Sequence, residues 1–412
     1  MINRQLPQHA PLTQFAVHDD CLQIGGMPLT RLAQRVGSTP FYAYDRQKIT
    51  ERVALLRRHL PPEILLHYAV KANPMPAVVQ LLAGLTDGLD VASAGEMKIA
   101  LDTGIDPGKI SFAGPGKKAY ELQSAIAAGA VLNVESQQEL ETIAQQGAAM
   151  GITPAVAIRV NPDFELKAAG MKMGGGAKPF GIDAEQVPGV LREISSLNLD
   201  FVGFHIFSGS QNLNAAAIQQ AQEQSIQLAI ELARHAPSPV RLLNIGGGFG
   251  VPYFPGEQPL DIAAVGDHLR ILMQQVRRQL PEAAVALELG RYLVAEAGIY
   301  VCRVLERKLS RGQVFLITDG GMHHHLAASG NFGQVIRKNY PVLIGNKVQG
   351  HEREIVSVTG PLCTPLDVLA EQLSMAKASA GDLVVVLQSG AYGLSASPVA
   401  FLGHPEPAEV LV

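Results

Sequence analysis

Eight short apolar runs, each followed by a stretch with helical periodicity, constrain this chain more than any other feature. The runs are Leu65 to Val70, Gly88 to Ala92, Ile110 to Ala113, Val131 to Glu135, Val156 to Val160, Phe201 to Ile206, Leu242 to Ile245 and Val285 to Glu288. Helical patterns between them include Ala77 to Leu85, Ala94 to Leu101, Ala119 to Ala128 and Ala215 to His235. Repeated βα units predict an α/β fold, a closed parallel (β/α)8 TIM-like barrel whose carboxyl-terminal strand ends carry the site. After about residue 298 the pattern turns strand-rich, with Ile299 to Glu306, Val314 to Thr318, Ile355 to Thr359 and Leu383 to Leu387 separated by Gly, Pro and Asn. That spacing reads as an antiparallel β module. Residues 1 to about 40 add strand-like pieces at Phe15 to Val17 and Cys21 to Ile24 around a Gly25-Gly26 turn. The expected division is 1–40, a barrel over 41–297, and a β domain over 298–412.

Composition removes several function classes. The 412 residues carry 33 basic and 37 acidic side chains, a formal charge of −4, with no long block of one sign. Nothing in that balance points to nucleic acid or to a membrane surface. The longest aliphatic run, Leu383 to Leu387, falls far short of the ~20 residues a membrane span requires, so a soluble protein is expected. Met1 to Thr13 is broken by Pro7 and Pro11 and has no apolar core, which reads as no signal peptide and a cytoplasmic protein. Cys21, Cys302 and Cys363 are odd in number and lack metal-type spacing, which argues against a disulfide framework and a zinc site.

Several residues carry two readings. Lys71 ends an apolar run in His67-Tyr68-Ala69-Val70-Lys71-Ala72-Asn73-Pro74. Its amine serves either an ion pair or Schiff-base chemistry with a carbonyl group. Gly246-Gly247-Gly248-Phe249-Gly250 follows a strand and is either a plain tight turn or a phosphate cradle. It is not a dinucleotide fingerprint, because the last glycine of that motif falls at Val251, and it lacks the Lys-Ser/Thr of a P-loop. Glu288, in Glu288-Leu289-Gly290-Arg291, either pairs with Arg291 or faces a ring nitrogen whose protonation it would favour. His205 is either a satisfied polar group or a site imidazole. Glu96 is either a site carboxylate or a favourable charge in a helix's first turn. Cys363 is either an inert thiol or a reactive one.

Tyr68-Ala69-Val70-Lys71-Ala72-Asn73 resembles the lysine motif of the pyridoxal phosphate (PLP)-dependent ornithine/diaminopimelate/arginine decarboxylases, which have the alanine-racemase-like barrel. Further stretches match that family in the same order over most of the chain. The resemblance implies an α-decarboxylase of an L-amino acid or aminoacyl group, with the amino-terminal strand joined to the carboxyl-terminal β module. It implies that Lys71 holds PLP, that Asp90 and Glu96 lie beside the Schiff base, and that His205 stacks on the cofactor ring. Ser210, Gly247 and Gly248 of the glycine loop, and Tyr392 of Gly390-Ala391-Tyr392-Gly393 would bind the phosphate. Glu288 would face the ring nitrogen as an electron-sink partner, with Gly290 and Arg291 completing its motif. Cys363, in Gly360-Pro361-Leu362-Cys363, would reach into a neighbouring subunit's site and return a proton, which implies a homodimer with shared active sites. Arg291, Thr364 and His325 are the substrate contacts implied.

Three positions depart from the family pattern. Leu289 stands where proline is usual, and Thr364 where ornithine and diaminopimelate enzymes place an acid. His323-His324-His325 follows Asp319-Gly320-Gly321-Met322, where diaminopimelate enzymes carry an arginine. Consecutive histidines point in different directions, so no metal is expected from them. The stretch is similar to a divergent branch that includes exosortase-associated members and decarboxylases of glutamyl groups on acyl-carrier proteins. A carrier-bound aminoacyl substrate is therefore one expectation, and meso-diaminopimelate is its rival. A non-catalytic PLP-binding protein is another, and a racemase a third; related racemases are expected to present arginine where this chain has Glu288. The glycine-rich stretch from Gly170 to Gly181 suggests a flap without an assignable contact.

Overall fold

The computed structural model describes residues 8–11, 13–165, 167, 170–334 and 337–412. Most of the amino-terminal segment read above, residues 1–7 and 12, lies outside them, as does the Lys172 side chain. The chain forms two compact units. One comprises 52–251 and 260–290, the other 1–51, 252–259 and 291–412. No helix among the described residues is long and apolar enough to cross a membrane.

The first unit is a closed barrel of eight parallel strands. They are β1 (Leu65–Ala69), β2 (Gly88–Val91), β3 (Ile110–Phe112), β4 (Val131–Val134), β5 (Ala155–Asn161), β6 (Asp200–Ile206), β7 (Leu242–Gly247) and β8 (Ala284–Leu289). Each pairs with the next, and β8 pairs with β1 through Ala286↔Leu65 to Leu289↔Tyr68, so no edge is left open. All eight lie within two residues of the expected runs. Side chains alternate across a strand, so polar residues on the inward face of successive strands meet inside the barrel. Every strand supplies at least one: His67, Asp90, Ser111, Asn133, Arg159, His205, Asn244 and Glu288, all buried, with Asn161 a second in β5.

Local chemistry sets the strand-to-helix turns. Ser93 accepts a hydrogen bond from the Glu96 amide at the start of the Ala94–Asp102 helix, while the Glu96 carboxylate accepts from the Ala92 amide. The Gln137–Met150 helix repeats the pattern, with Ser136 capping Glu139 and Glu139 accepting from the Glu135 amide. These reciprocal Ser-x-x-Glu caps satisfy helix amides that would otherwise be orphaned where strand ends give way to loops.

The second unit is a mainly antiparallel β structure around the long strand Gly298–Ser310, which pairs with Gln313–Thr318 and with Leu383–Val386. Phe41–Tyr44 corrects the sequence-based grouping. It pairs antiparallel with Gly298–Val301 and parallel with Ala408–Leu411, rather than opening the barrel. All four of its residues are buried, so its apolar run has the same pattern as a barrel strand. Its core joins Phe15, Leu22, Ile24, Leu29 and Leu32 to Phe41, Ile299, Val301, Leu383 and Val385.

Strand β6 carries a bulge at Gly203, whose φ is +151° and whose missing Cβ would sit 1.8 Å from the Leu242 carbonyl. Gly203→Ala should therefore cost about 3 kcal/mol or more in urea unfolding, against about 1 kcal/mol for Gly104→Ala, where the φ is also positive but no atom lies within 4 Å. Equal costs would contradict the close-packed bulge.

Candidate active site

The carboxyl-terminal strand ends converge on Lys71. Strand β1 stops at Ala69 and a single 3-10 turn, Val70–Ala72, lifts Lys71 out of the sheet. The Tyr68 hydroxyl pins that turn by donating to the Asn73 carbonyl at 2.8 Å, and Asn73 Oδ1 accepts from the Met75 amide ahead of the Pro76–Ala83 helix. The lysine side chain is 42% exposed while Glu288 beneath it is 6% exposed, so the amine stands at the mouth and the carboxylate on the floor.

Glu288 gathers the charge of the site. Lys71 Nζ lies 3.5 Å from Oε1, and His205 Nε2 donates to Oε2 at 3.0 Å. Burial by itself would push the Glu288 carboxyl up. The Lys71 ammonium, the His205 hydrogen bond and the Arg159 charge outweigh it and hold the group well below the usual carboxylate range. A carboxylate kept ionised against burial is the partner a protonated pyridine nitrogen needs. Among sequence-predicted residues, the barrel thus brings Lys71, His205 and Glu288 into direct contact. Asp90 lies opposite Ala69 in the β1–β2 register, close to the lysine turn, with neither carboxylate oxygen hydrogen-bonded. Glu96 spends one oxygen on its helix cap; burial raises its carboxyl, and the Lys71 charge pulls against that rise.

The glycine loop after β7 is shaped by close approach. A Cβ at Gly247 would meet the Glu288 carbonyl at 2.4 Å, and one at Gly250 would meet the Asn212 backbone at 3.0 Å. Gly290 faces the methyl of Ala72 in the lysine turn, where a Cβ would lie 2.9 Å away. Gly248 adopts a φ of +72° and its carbonyl accepts from the Asn212 amide. Ser210 is half-buried in the short strand Gly209–Ser210, which pairs with Met171–Lys172 in the glycine-rich segment. The floor carboxylate, the raised lysine and the glycine cradle fit pyridoxal phosphate in kind and in number.

Two networks that the sequence reading missed brace the mouth. Glu135 accepts from Arg159 at 2.8 Å and from the amides of Gly114 and Gly181. Lys117, with its side chain 1% exposed, donates to the carbonyls of Gly114 and Asn133 and sits 2.6 Å from Glu139. A signal for Arg159 was present, since a charged residue in the run Val156 to Val160 has to be paired if buried.

The β unit holds the remaining predicted residues. Arg291 lies over the Tyr392 ring at 4.6 Å and donates to the Tyr253 hydroxyl at 3.2 Å. Cys363 is exposed on the loop Gly360–Asp367, with Thr364 half-buried beside it. Asp367 organises that loop by accepting from the Met322 and Leu362 amides. The structure corrects the expectation that His325 touches substrate. It is fully buried, with Nε2 donating to Ser389 Oγ at 2.9 Å and Nδ1 accepting from the Ala328 amide, so neither ring nitrogen is left for a ligand. Burial holds that imidazole neutral, pushed down to about 3. His323 packs against His324 at 3.6 Å between ring centroids, and no group of three or more His, Cys, Asp or Glu among the described residues is placed to hold a metal ion.

Residues 46–295 match the family described as pyridoxal-dependent decarboxylase, pyridoxal binding domain. An L-glutamyl-[BtrI acyl-carrier protein] decarboxylase of Niallia circulans is 40% identical over 93% of this chain and 90% of its own length. A diaminopimelate decarboxylase of Aquifex aeolicus is 34% identical over 99% of the chain and 94% of its own. Among solved structures, diaminopimelate decarboxylase from M. jannaschii in complex with L-lysine superposes with a TM-score of 0.88 at 27% identity, covering 97% and 92% of the two chains.

A depressed carboxyl stabilises the fold above its ordinary value near 4.5, and that stabilisation is lost as pH falls below it. Glu288→Gln should therefore cost on the order of 3 kcal/mol in denaturant unfolding of the cofactor-free protein between pH 5.5 and 7, with the difference shrinking as the pH drops below about 4.5. A pH-independent difference would mean that Glu288 is not the buried anion described.

Proposed function

We propose, from the premise that this chain belongs to the pyridoxal-dependent decarboxylase family, that its substrate is a glutamyl group presented on a carrier protein. The chain is a PLP-dependent decarboxylase. The single observation behind the chemistry is the ionised Glu288 on the barrel floor, with Lys71 and His205 in contact. When bound through Lys71, pyridoxal phosphate supplies the electron sink that accepts the pair left as carbon dioxide departs.

This chain's residues do the rest. Lys71 would hold the cofactor and, on substrate arrival, leave as a free amine while the substrate amine takes its place. Glu288 would favour a proton on the cofactor's ring nitrogen, and His205 fixes the orientation of Glu288. Ser210, the loop at Gly247 and Gly248, and the Tyr392 hydroxyl are assigned to the phosphate. Cys363 donates the proton that replaces the lost carboxylate, so the substrate exchanges carbon dioxide for one proton at the same carbon. The exposure of Cys363 on its own unit supports its acting in a second copy of the chain, and hence a homodimer. A protein of the cytoplasm fits that chemistry.

The choice of a carrier-bound glutamyl group rests on the Niallia circulans relative and on Thr364, which offers no charge to a distal ammonium. It is favoured over free diaminopimelate, whose distal ammonium and carboxylate both call for charged partners.

Carbon dioxide release should be fast from glutamyl-carrier protein and at least about a hundredfold slower from diaminopimelate or ornithine at matched concentrations. Activity confined to diaminopimelate would overturn the substrate reading. Lys71→Arg should abolish cofactor absorbance, whereas Cys363→Ala should keep it and slow turnover about a hundredfold or more. Mixing the two inactive variants should restore about a quarter of the wild-type rate if sites are shared across a two-fold dimer. No recovery on mixing would count against shared sites.

A further inference from the structure

His67 is a buried titratable group to which the chemistry above gives no task. Its Nδ1 lies 3.4 Å from Asp90 Oδ2, and both side chains are 6% exposed. Neither Asp90 oxygen accepts a hydrogen bond from any described residue. The register places His67 between Glu288 of β8 and Gly88 of β2, directly under the strand end that delivers Lys71. The sequence makes room for the ring at Gly88, where a Cβ would meet His67 Nε2 at 2.6 Å and the Lys109 carbonyl at 2.8 Å. An imidazole is thus fitted against a carboxylate that no donor satisfies.

A buried carboxylate without hydrogen bonds stays charged only beside a cation. The charged and titratable groups around His67 are Lys71 on its own segment, Asp90 on β2 with Asp87 at its entry, Glu288 on β8 and, beyond it, His205 and Arg159. Glu96 lies at the start of the following helix. Burial works against a charge on His67, but Asp90, with smaller contributions from Glu288 and Asp87, outweighs it and raises the imidazole above its ordinary value. Lys71 and Arg159 are already engaged, with Glu288 and Glu135 respectively. His67 Nδ1, 3.4 Å from Asp90 Oδ2, stands within ion-pair reach of that carboxylate.

We propose that His67 is a positioning residue, paired as an imidazolium with Asp90 so that the carboxylate is held in place next to the turn that delivers the lysine. The inference rests on Lys71 holding pyridoxal phosphate. Its consequence is that Asp90 and His67 act as one unit, because losing either takes the placed carboxylate away from the lysine turn. A carboxylate near Lys71 favours the protonated form of the nitrogen that joins it to the cofactor, so losing that charge should make this nitrogen release its proton at lower pH.

The test is the pH midpoint of the visible absorbance of the holoenzyme in His67→Asn and Asp90→Asn. Both midpoints should fall, each by about half a unit to one unit. Shifts of opposite sign are what independent charges would give, since removing a cation raises the midpoint and removing an anion lowers it, and they would overturn the proposal. An unshifted midpoint with reduced thermal stability in His67→Asn would reduce His67 to a packing role and overturn it equally. If His67→Asn does not fold, ring ¹⁵N signals of histidine-labelled wild type and Asp90→Asn decide. Within the histidine signals, the proposal requires one ring fully protonated at pH 7 that becomes neutral on Asp90→Asn, and the absence of such a ring contradicts it. Loss of all cofactor absorbance in Lys71→Arg tests the cofactor reading separately, and the ring signals do not depend on it.

Discussion

One carboxylate buried at the centre of a closed barrel sets the terms for the structure around it. Desolvating Glu288 costs several kcal/mol unless positive charge and hydrogen bonds compensate. The compensation comes from three other strands: Lys71 after β1, Arg159 in β5 and His205 in β6. Those residues are far apart in sequence and meet only because the sheet closes on itself, with β8 paired to β1. The fold and the charge state of the site are thus one constraint, since an open sheet could not surround the anion with its partners.

The mouth of the barrel is built to keep those partners in place. Glu135 ties Arg159 to the loops at Gly114 and Gly181, and Lys117 ties the Gly114 loop to β4. The Ser-x-x-Glu caps at Ser93 and Ser136 fix the turns between. Among Glu288 and its three partners, the lysine alone has a substantially exposed side chain. The glycines at 247 and 290 permit backbone approach where a side chain would fill the space.

Much of this was legible in the sequence, and the reason is physical. A parallel barrel strand is buried on both faces, so each strand appears as a short, largely apolar run, and eight such runs located the barrel strands to within two residues at each end, although the barrel unit begins at 52 and ends at 290 rather than spanning 41–297. Lys71 and Glu288 stood out because a charge ending such a run has to be paired or used. The same logic applied with less force to His67 and Arg159, each of which interrupts or adjoins an apolar run, and the ring of buried polar residues, at least one from each strand, became visible only with the register. Phe41–Tyr44 was grouped with the barrel because complete burial erases the alternation that marks an antiparallel strand. A histidine triplet advertises ligand chemistry, whereas the two His325 nitrogens are engaged by Ala328 nearby in sequence and by Ser389, a contact across 64 residues that has no local signature.

The charge of Glu288 in the cofactor-loaded enzyme is the most direct test of this account. Difference infrared spectroscopy between wild type and Glu288→Gln isolates that carboxyl. An ionised carboxylate band at pH 7, persisting below pH 5, is the predicted result. A protonated carboxyl band at pH 7 would contradict the electron-sink role proposed for Glu288.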